Sequence, residues 1–556
     1  MKKITALLLS AILMLSLATP CFAVVDPDYN VPIISIRGDG NDIYDAAGEN
    51  IVWPVSLGDE EGDKDQLIDS IIDVIFPHLV TGLLTGNYEG YYDAFYDAIV
   101  PLFDEGVLDC NGEASNGTQI DPKKYAGCVD SSKQNRKFWN DPQGYDIYDY
   151  TFVYDWRLSP LETVEKFDQY IQDVMKATGA KQVNIQSVCL GGTVVTAYLD
   201  MYLKKLENGA TPYIKNVMFD ASVANDCIVF TDAFRGKIDL DPDGLQRFLD
   251  EFADKDENTF GSLGETLPFL NELVFTTYDL LRETGVAGKV FDTVEEFYDV
   301  IYEGLVPKLA IASYATFPGY WASVNADYYE EAREFVFADP EMRTEYEGLI
   351  EKLDAYYNQI SSRSDEILLT AQEKGVHIGI IAKYGTHVMP FTERQNLVSD
   401  RLVSVSAATF GATTSTTRGQ LTDEYIAERT ALGYGEYISP DKKVDLSTAL
   451  FKDTTWVLKN CSHDHWGHEE LIIENFFRST NLTTKNDDTW PRFLVCQSKE
   501  HDDYYEGMLL EMTEENPGED LWEDTPTETK DSTIWTKLAA LFRWLTAVFK
   551  ALLHVM

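Results

Sequence analysis

The sequence predicts an α/β protein built on a doubly wound, mainly parallel sheet, with an inserted helical cap and a C-terminal amphipathic helix. Three observations carry this expectation. Short apolar runs rich in β-branched and aromatic residues alternate with amphipathic helical stretches, the pattern of strand–helix–strand units. One such run ends abruptly in Val188-Cys189-Leu190-Gly191-Gly192 and continues as a helix, a strand-to-helix turn. A long helical, acidic block then separates two later apolar runs, as an insertion between strands would.

In chain order, residues 33–37 form a β-rich run ending at Gly38-Asp39-Gly40. Residues 65–104 are tyrosine-rich and helical in pattern. Residues 150–154 read as a strand closed by Asp155-Trp156-Arg157. Ser159 then stands at a helix N-cap, with Pro160 in the first helical position and Glu162 three residues after the cap. That helix runs to about Thr178 and stops at Gly179, where a left-handed residue is needed. The run from Val183 supplies the next strand and helix, and residues 216–220 another strand. Residues 224–373 are the helical cap. Strands follow at 377–383 and 455–459, and a helix at about 469–477.

The chain has 556 residues, enough for a large domain with insertions. The formal net charge is -48, which repels nucleic acid and excludes it as a partner class. Lys2 and Lys3 precede an apolar run and then Thr19-Pro20-Cys21-Phe22-Ala23, the order of a secretory signal peptide cleaved after Ala23. A secreted protein is therefore expected. Cys110 and Cys128 flank a polar loop and either bridge in an oxidising compartment or remain thiols. No Cys-x-x-Cys pair occurs, so a zinc site of that kind is not expected.

Residues 511–531 are acidic and contain proline, a linker composition. Beyond them, from Ser532 to Met556, Ile534, Leu538, Leu541, Leu545, Phe549, Leu552 and Met556 share one helical face. Arg543 and Lys550 would sit inside any spanning run. The segment therefore reads as an interfacial helix for a membrane surface or cell envelope, or as a helix packed on protein.

The turn at Cys189 is where chemistry is expected. Such a turn exposes its tip residue at the carboxyl end of a sheet, and small neighbours let the backbone bend sharply. Ser187 stands where the first glycine of Gly-x-Ser-x-Gly is usual, Cys189 at the tip and Gly191 after it. The Leu190 amide can donate to an oxyanion, and the start of a helix favours a thiolate. Otherwise Cys189 is an apolar filler in a nucleotide-binding turn.

Phe152-Val-Tyr-Asp-Trp-Arg-Leu-Ser-Pro160, followed by a helix, a strand and this turn, resembles the lecithin:cholesterol acyltransferase family of α/β-hydrolases, which includes lysosomal phospholipase A2-like enzymes. Val31-Pro-Ile-Ile-Ser-Ile-Arg-Gly-Asp-Gly40 resembles the family's glycine turn, the source of the second oxyanion amide. Ser399-Asp400-Arg-Leu-Val403 resembles its acid turn. Ser439-Pro-Asp-Lys-Lys-Val-Asp445, then Thr455-Trp-Val-Leu458 and a histidine loop, resembles the end of bacterial members. The resemblance spans most of the mature chain to about Phe477, and the cap only loosely.

What the resemblance implies is an acyl hydrolase or acyltransferase acting on lipid or other esters, without a cofactor. The order nucleophile, acid, histidine is that of α/β-hydrolases. Cys189 would attack an acyl carbonyl, a histidine would take or hold its proton, and Asp400 would orient that histidine. Amides near Asp39 or Gly40, together with Leu190, would hold the oxyanion. Among the candidate bases, His463 best matches the spacing after Thr455-Trp456; His465 is the alternative, and His468 falls in the following helix. The three could instead converge on a metal, but no distant Cys/His set supports this, so none is expected. Asp155 and Arg157 read as a structural tie. The aromatic run Phe317-Pro-Gly-Tyr-Trp321 reads as core or as the wall of an acyl groove. Two departures from the family stand out: cysteine for serine, and a shortened glycine turn. A thioester intermediate passes acyl groups to amines and thiols as well as water, which keeps transfer open beside hydrolysis. The competing reading is a catalytically degenerate α/β-hydrolase serving as a surface binding protein.

Overall fold

A computed structural model describes residues 31–38, 42–53, 61–120, 133–136, 147–237, 305–386, 392–463, 469–487, 489–497 and 508–518. The signal peptide, residues 238–304 of the cap, and the segment 532–556 lie outside the described residues.

The centre is a nine-stranded sheet. In chain order its strands are β1 (Ile33–Ile36), β5 (Lys133–Arg136), β6 (Ile147–Phe152), β7 (Val183–Val188), β8 (Ile214–Asp220), β9 (His377–Tyr384), β12 (Thr455–Lys459), β13 (Phe493–Gln497) and β14 (Met508–Glu511). They lie side by side as β14-β13-β12-β9-β8-β7-β1-β6-β5. The interior pairs are parallel, and an antiparallel strand closes each edge. Between β1 and β5 three short strands, β2 (Ile43–Tyr44), β3 (Ile51–Trp53) and β4 (Gln119–Ile120), form a separate antiparallel sheet. A further small pair, β10 (Thr413–Thr414) and β11 (Val444–Asp445), lies between β9 and β12.

The central strands are buried on both faces, which is why they read as apolar runs rather than alternating ones. One pair of exceptions is matched: Asn216 Nδ2 on β8 donates to Asn184 Oδ1 on β7 at 2.8 Å, so neither buried amide loses its hydrogen bond to the interior. The expected helix after Ser159 forms at Pro160–Thr178. The Ser159 hydroxyl accepts from the Leu161 amide, and Gly179 closes the helix at φ 72°. Val164, Phe167, Ile171 and Val174 share its buried face and pack it against the helix Gly191–Glu207. Each such side chain, fully buried, is worth roughly 1.5–3 kcal/mol.

Several elements depart from expectation. The helical stretch 65–104 is two helices, Glu61–Thr85 and Glu89–Phe103, separated at Gly86 with φ 72°. Strand β5, Lys-Gln-Asn-Arg, carries no apolar period; backbone pairing to β6 alone makes it a strand. Residues 511–518, expected to open an acidic linker, are packed on the sheet edge instead. Glu511 ends β14, Met512 is buried, and the Gly518 carbonyl accepts from Lys459 Nζ at 3.2 Å. The rest of that linker lies outside the described residues. Where described, the segment between β8 and β9 is helical, as expected. Among the described residues no helix is long and apolar enough to cross a membrane.

Candidate active site

Strand β7 delivers Cys189 to the carboxyl end of the sheet. Its φ of 52° is unusual for a non-glycine residue, and such strain persists only where surroundings enforce it. Here they do. The Cys189 amide donates to the Asp220 carbonyl at 3.4 Å, and the Val223 amide donates to the Cys189 carbonyl at 3.2 Å. The neighbouring glycines are required by contact. A Cβ on Gly191 would lie 2.4 Å from the Ile36 carbonyl oxygen, and one on Gly38 would lie 3.0 Å from both Cys189 Sγ and the Leu190 amide nitrogen. The turn is thus pressed between the end of β1 and the loop after β8.

Leu190 follows as the N-cap of the helix Gly191–Glu207, which directs the positive end of its dipole toward the turn. Gly38 lies against that amide, on the path to Asp39 and Gly40. Asp39 itself, the expected partner amide, lies outside the described residues. Ser187 is fully buried on β7, and its hydroxyl has no hydrogen-bond partner among the described residues.

Asp400 and His463 meet across the sheet end. Asp400 lies in the loop after β9 and His463 follows β12, the neighbouring strand. His463 Nδ1 is 3.0 Å from Asp400 Oδ2, and the His463 amide donates to the Asp400 carbonyl at 2.8 Å. Asp400 Oδ1 accepts from the amides of Leu402 (3.1 Å) and Val403 (2.9 Å). One Asp400 oxygen thus caps the turn while the other faces the histidine. Both side chains are buried.

Burial by itself would lower the pKa of His463. The charge of Asp400, the charge of Cys189, and hydrogen bonds with both side chains outweigh burial and raise it well above the ordinary histidine value. The imidazole therefore sits between carboxylate and thiol and is predisposed to hold a proton. His465 and His468 lie outside the described residues, as does any metal-binding arrangement involving them. Among the described residues no group of three or more His, Cys, Asp or Glu is placed to hold a metal.

Asp155 and Arg157 are the tie that was expected. Arg157 is fully buried, bonds Asp155 twice through its side chain (3.0 and 2.7 Å) and donates to the Gly106 carbonyl at 2.8 Å. Trp156 stacks on Tyr320 at 5.1 Å and meets Phe317 edge-on at 5.6 Å, so this part of the aromatic run is core. Cys110 is half-buried, and Cys128 lies outside the described residues.

Two ionic clusters had no sequence signal. Arg394, ahead of Asp400, bonds Asp226 at 2.5 Å and Asp232 at 2.7 Å, fastening the acid loop to the segment after β8. Lys383 Nζ, near the end of β9, bonds Glu469 Oε1 at 2.9 Å and lies 3.6 Å from Asp220 Oδ1. The partners are far apart in sequence, so no local spacing could have joined them.

No protein-family model matches the chain, and no curated protein matches it. A search of solved structures finds similarity to a chain in the crystal structure of the Tle4-Tli4 complex. The identity is 10%, the match covers 64% of this chain and 76% of that one, and the TM-score is 0.25. At that level the likeness carries no argument about fold or activity.

Proposed function

We propose that the chain is a secreted acyl hydrolase or acyltransferase with an α/β-hydrolase architecture, acting on lipid or other ester acyl groups through Cys189, His463 and Asp400. The observation that carries this reading is the contact of His463 Nδ1 with Asp400 Oδ2 at 3.0 Å, with the charge of Cys189 acting to raise the pKa of the same imidazole. A nucleophile, a base and an orienting carboxylate in that sequence order are the parts covalent acyl catalysis needs.

The chemistry follows from the atoms. His463 holds the thiol proton, and the Cys189 thiolate attacks the acyl carbon, forming a C–S bond. The carbonyl π electrons move to oxygen, where the Leu190 amide is placed to donate. Collapse of this adduct breaks the C–O bond, and imidazolium gives its proton to the departing alkoxide. Water, or an amine or hydroxyl acceptor, then loses a proton to His463 and attacks the thioester. The thiolate leaves and the cycle closes. Asp400 stays ionised and steadies the imidazolium throughout.

The test uses the full mature chain with a thiol-directed and a fluorophosphonate probe, and p-nitrophenyl esters of several acyl lengths. Labelling and turnover lost together in Cys189→Ala and His463→Ala support the proposal. Neither labelling nor turnover at any acyl length removes it and leaves a surface binding protein as the better reading. Contact with membrane through 532–556 is a separate part of the proposal, checked by vesicle co-sedimentation of the chain with and without those residues.

A further inference from the structure

Three fully buried ionisable groups stand behind the Cys189–His463 pair: Lys383, Glu469 and Asp220. One cation against two carboxylates is an expensive interior, since an apolar set of similar volume is often as stable or more so. Their connections suggest why these groups are there.

Asp220 is the last residue of β8. Its backbone carbonyl accepts from the Cys189 amide, and the next amide, Ala221, donates to the Ile381 carbonyl on β9 at 3.0 Å. Asp220 therefore belongs to the nucleophile's side of the site. Glu469 is on the other side, six residues after His463 and next to the helix Glu470–Arg478. It is the N-cap residue of that helix, and its side chain is turned to Lys383 Nζ. Lys383 lies on β9, the strand between β8 and β12, and touches both.

We propose that Lys383 is a positioning residue that sets the distance between the two halves of the catalytic pair, holding the histidine segment through Glu469 and the nucleophile turn through Asp220. Lys383 touches no reacting atom. It acts by fixing where His463 stands relative to Cys189 Sγ. The charge balance supports this. Burial pushes the Asp220 carboxyl up, Lys383 pulls it down, and the nearby Glu469 pushes it up again, with a net rise to about 7. Above that value Asp220 is ionised, and both carboxylates face the one ammonium, Glu469 at 2.9 Å and Asp220 at 3.6 Å. The Asp220 oxygens accept no hydrogen bond among the described residues.

The inference rests on the proposed Cys189–His463 chemistry, and its test separates the two. Alkylation of Cys189 by iodoacetamide, followed at its peptide by mass spectrometry across pH 5–9, reports the thiolate held by His463 and needs no turnover. The variants are Lys383→Met, Glu469→Leu and the conservative Glu469→Gln, which keeps an oxygen for Lys383 Nζ. Lys383→Met and Glu469→Leu should lose about tenfold in alkylation rate at pH 6 and about tenfold in ester kcat, with KM within about twofold. Glu469→Gln should remain within about threefold of the parent on both measures. A folded Lys383→Met chain with the parent's alkylation profile overturns the proposal. If Lys383→Met does not fold, the Glu469 pair decides: equal behaviour of Leu and Gln overturns it. Failure of both Lys383→Met and Glu469→Leu to fold assigns the cluster to stability alone and also overturns it. A parent chain that turns over no ester removes the proposed function but leaves the alkylation comparison to decide the role of Lys383.

Discussion

Asp400→Asn tests whether Asp400 orients His463, as proposed, with almost no change in volume. In the structure Asp400 Oδ1 serves two backbone amides at 3.1 and 2.9 Å, and Oδ2 faces His463 Nδ1 at 3.0 Å. Asparagine has one oxygen and one amino group for these two jobs. Turning the amino group toward Leu402 and Val403 would set donor against donor, so it must face His463. Nδ1 then becomes an acceptor, and the ring's proton moves to the nitrogen that should be free to take one from Cys189. A buried charge-assisted hydrogen bond worth roughly 1.5–3 kcal/mol disappears. The imidazolium also loses its counter-charge, which brings the total to roughly 3–6 kcal/mol, or about 10²–10⁴ in rate. Serine triads respond to the same change with a loss of about 10⁴. The assay is kcat for a p-nitrophenyl ester together with the pH profile of Cys189 alkylation, with a thermal melt to establish folding. In the parent, the charges of Asp400 and Cys189 shift His463 toward its protonated form. Its alkylation should therefore persist below the pH where an ordinary cysteine stops reacting. A folded Asp400→Asn chain within threefold of the parent in turnover, with the same profile, refutes the reasoning.

The other predictions concern stability. Gly191→Ala places a Cβ 2.4 Å from the Ile36 carbonyl oxygen, which is backbone and cannot step aside. It should lower the urea-unfolding free energy by about 2–4 kcal/mol and slow Cys189 labelling, whereas an alanine at Gly209, where nothing lies within 4 Å, should not alter labelling. Arg394→Met leaves the buried Asp226 without its ion-pair partner and Asp232 with Arg235 alone at 3.4 Å among the described residues, and should cost about 3–5 kcal/mol in the same measurement. His377, stacked on Phe476 at 4.5 Å, has its pKa pushed down by burial to about 4. Protonation then favours the unfolded chain. The stability held above the ordinary histidine value of 6.5 is lost as pH falls toward 4, by roughly 3 kcal/mol at most. His377→Phe should lack that part of the slope when unfolding is measured between pH 7 and pH 4; an unchanged slope would rule the assignment out.

Much of the fold was legible because its signals are local. Ser159, Pro160 and Gly179 bracket one helix by cap and turn chemistry that each residue carries itself. The buried strands β7, β8, β9 and β12 announce themselves as apolar runs. Strand β5 was illegible since Lys-Gln-Asn-Arg becomes a strand only when β6 offers its edge. The packing of residues 511–518 was hidden for a similar reason: an acidic segment packs as far as Gly518 because β13 and Lys459 receive it. At the site, Cys189 was visible from its turn, and the choice of His463 from its distance past β12. His465 and the Asp39 amide lie outside the described residues, so the geometry bears only on Cys189, Leu190, Asp400 and His463.

By itself, then, the sequence determined the strand–turn–helix at Cys189 and the order of Cys189, Asp400 and His463, since both are properties of short stretches and their succession. Only the tertiary structure decided that the Asp400 carboxylate meets His463, 63 residues later, because that contact depends on β9 and β12 lying side by side in register. The same is true of Lys383. A lysine in an apolar run says nothing of its partners; burial between Asp220 and Glu469 makes its charge matter, since the interior screens it little and leaves it to the groups within reach.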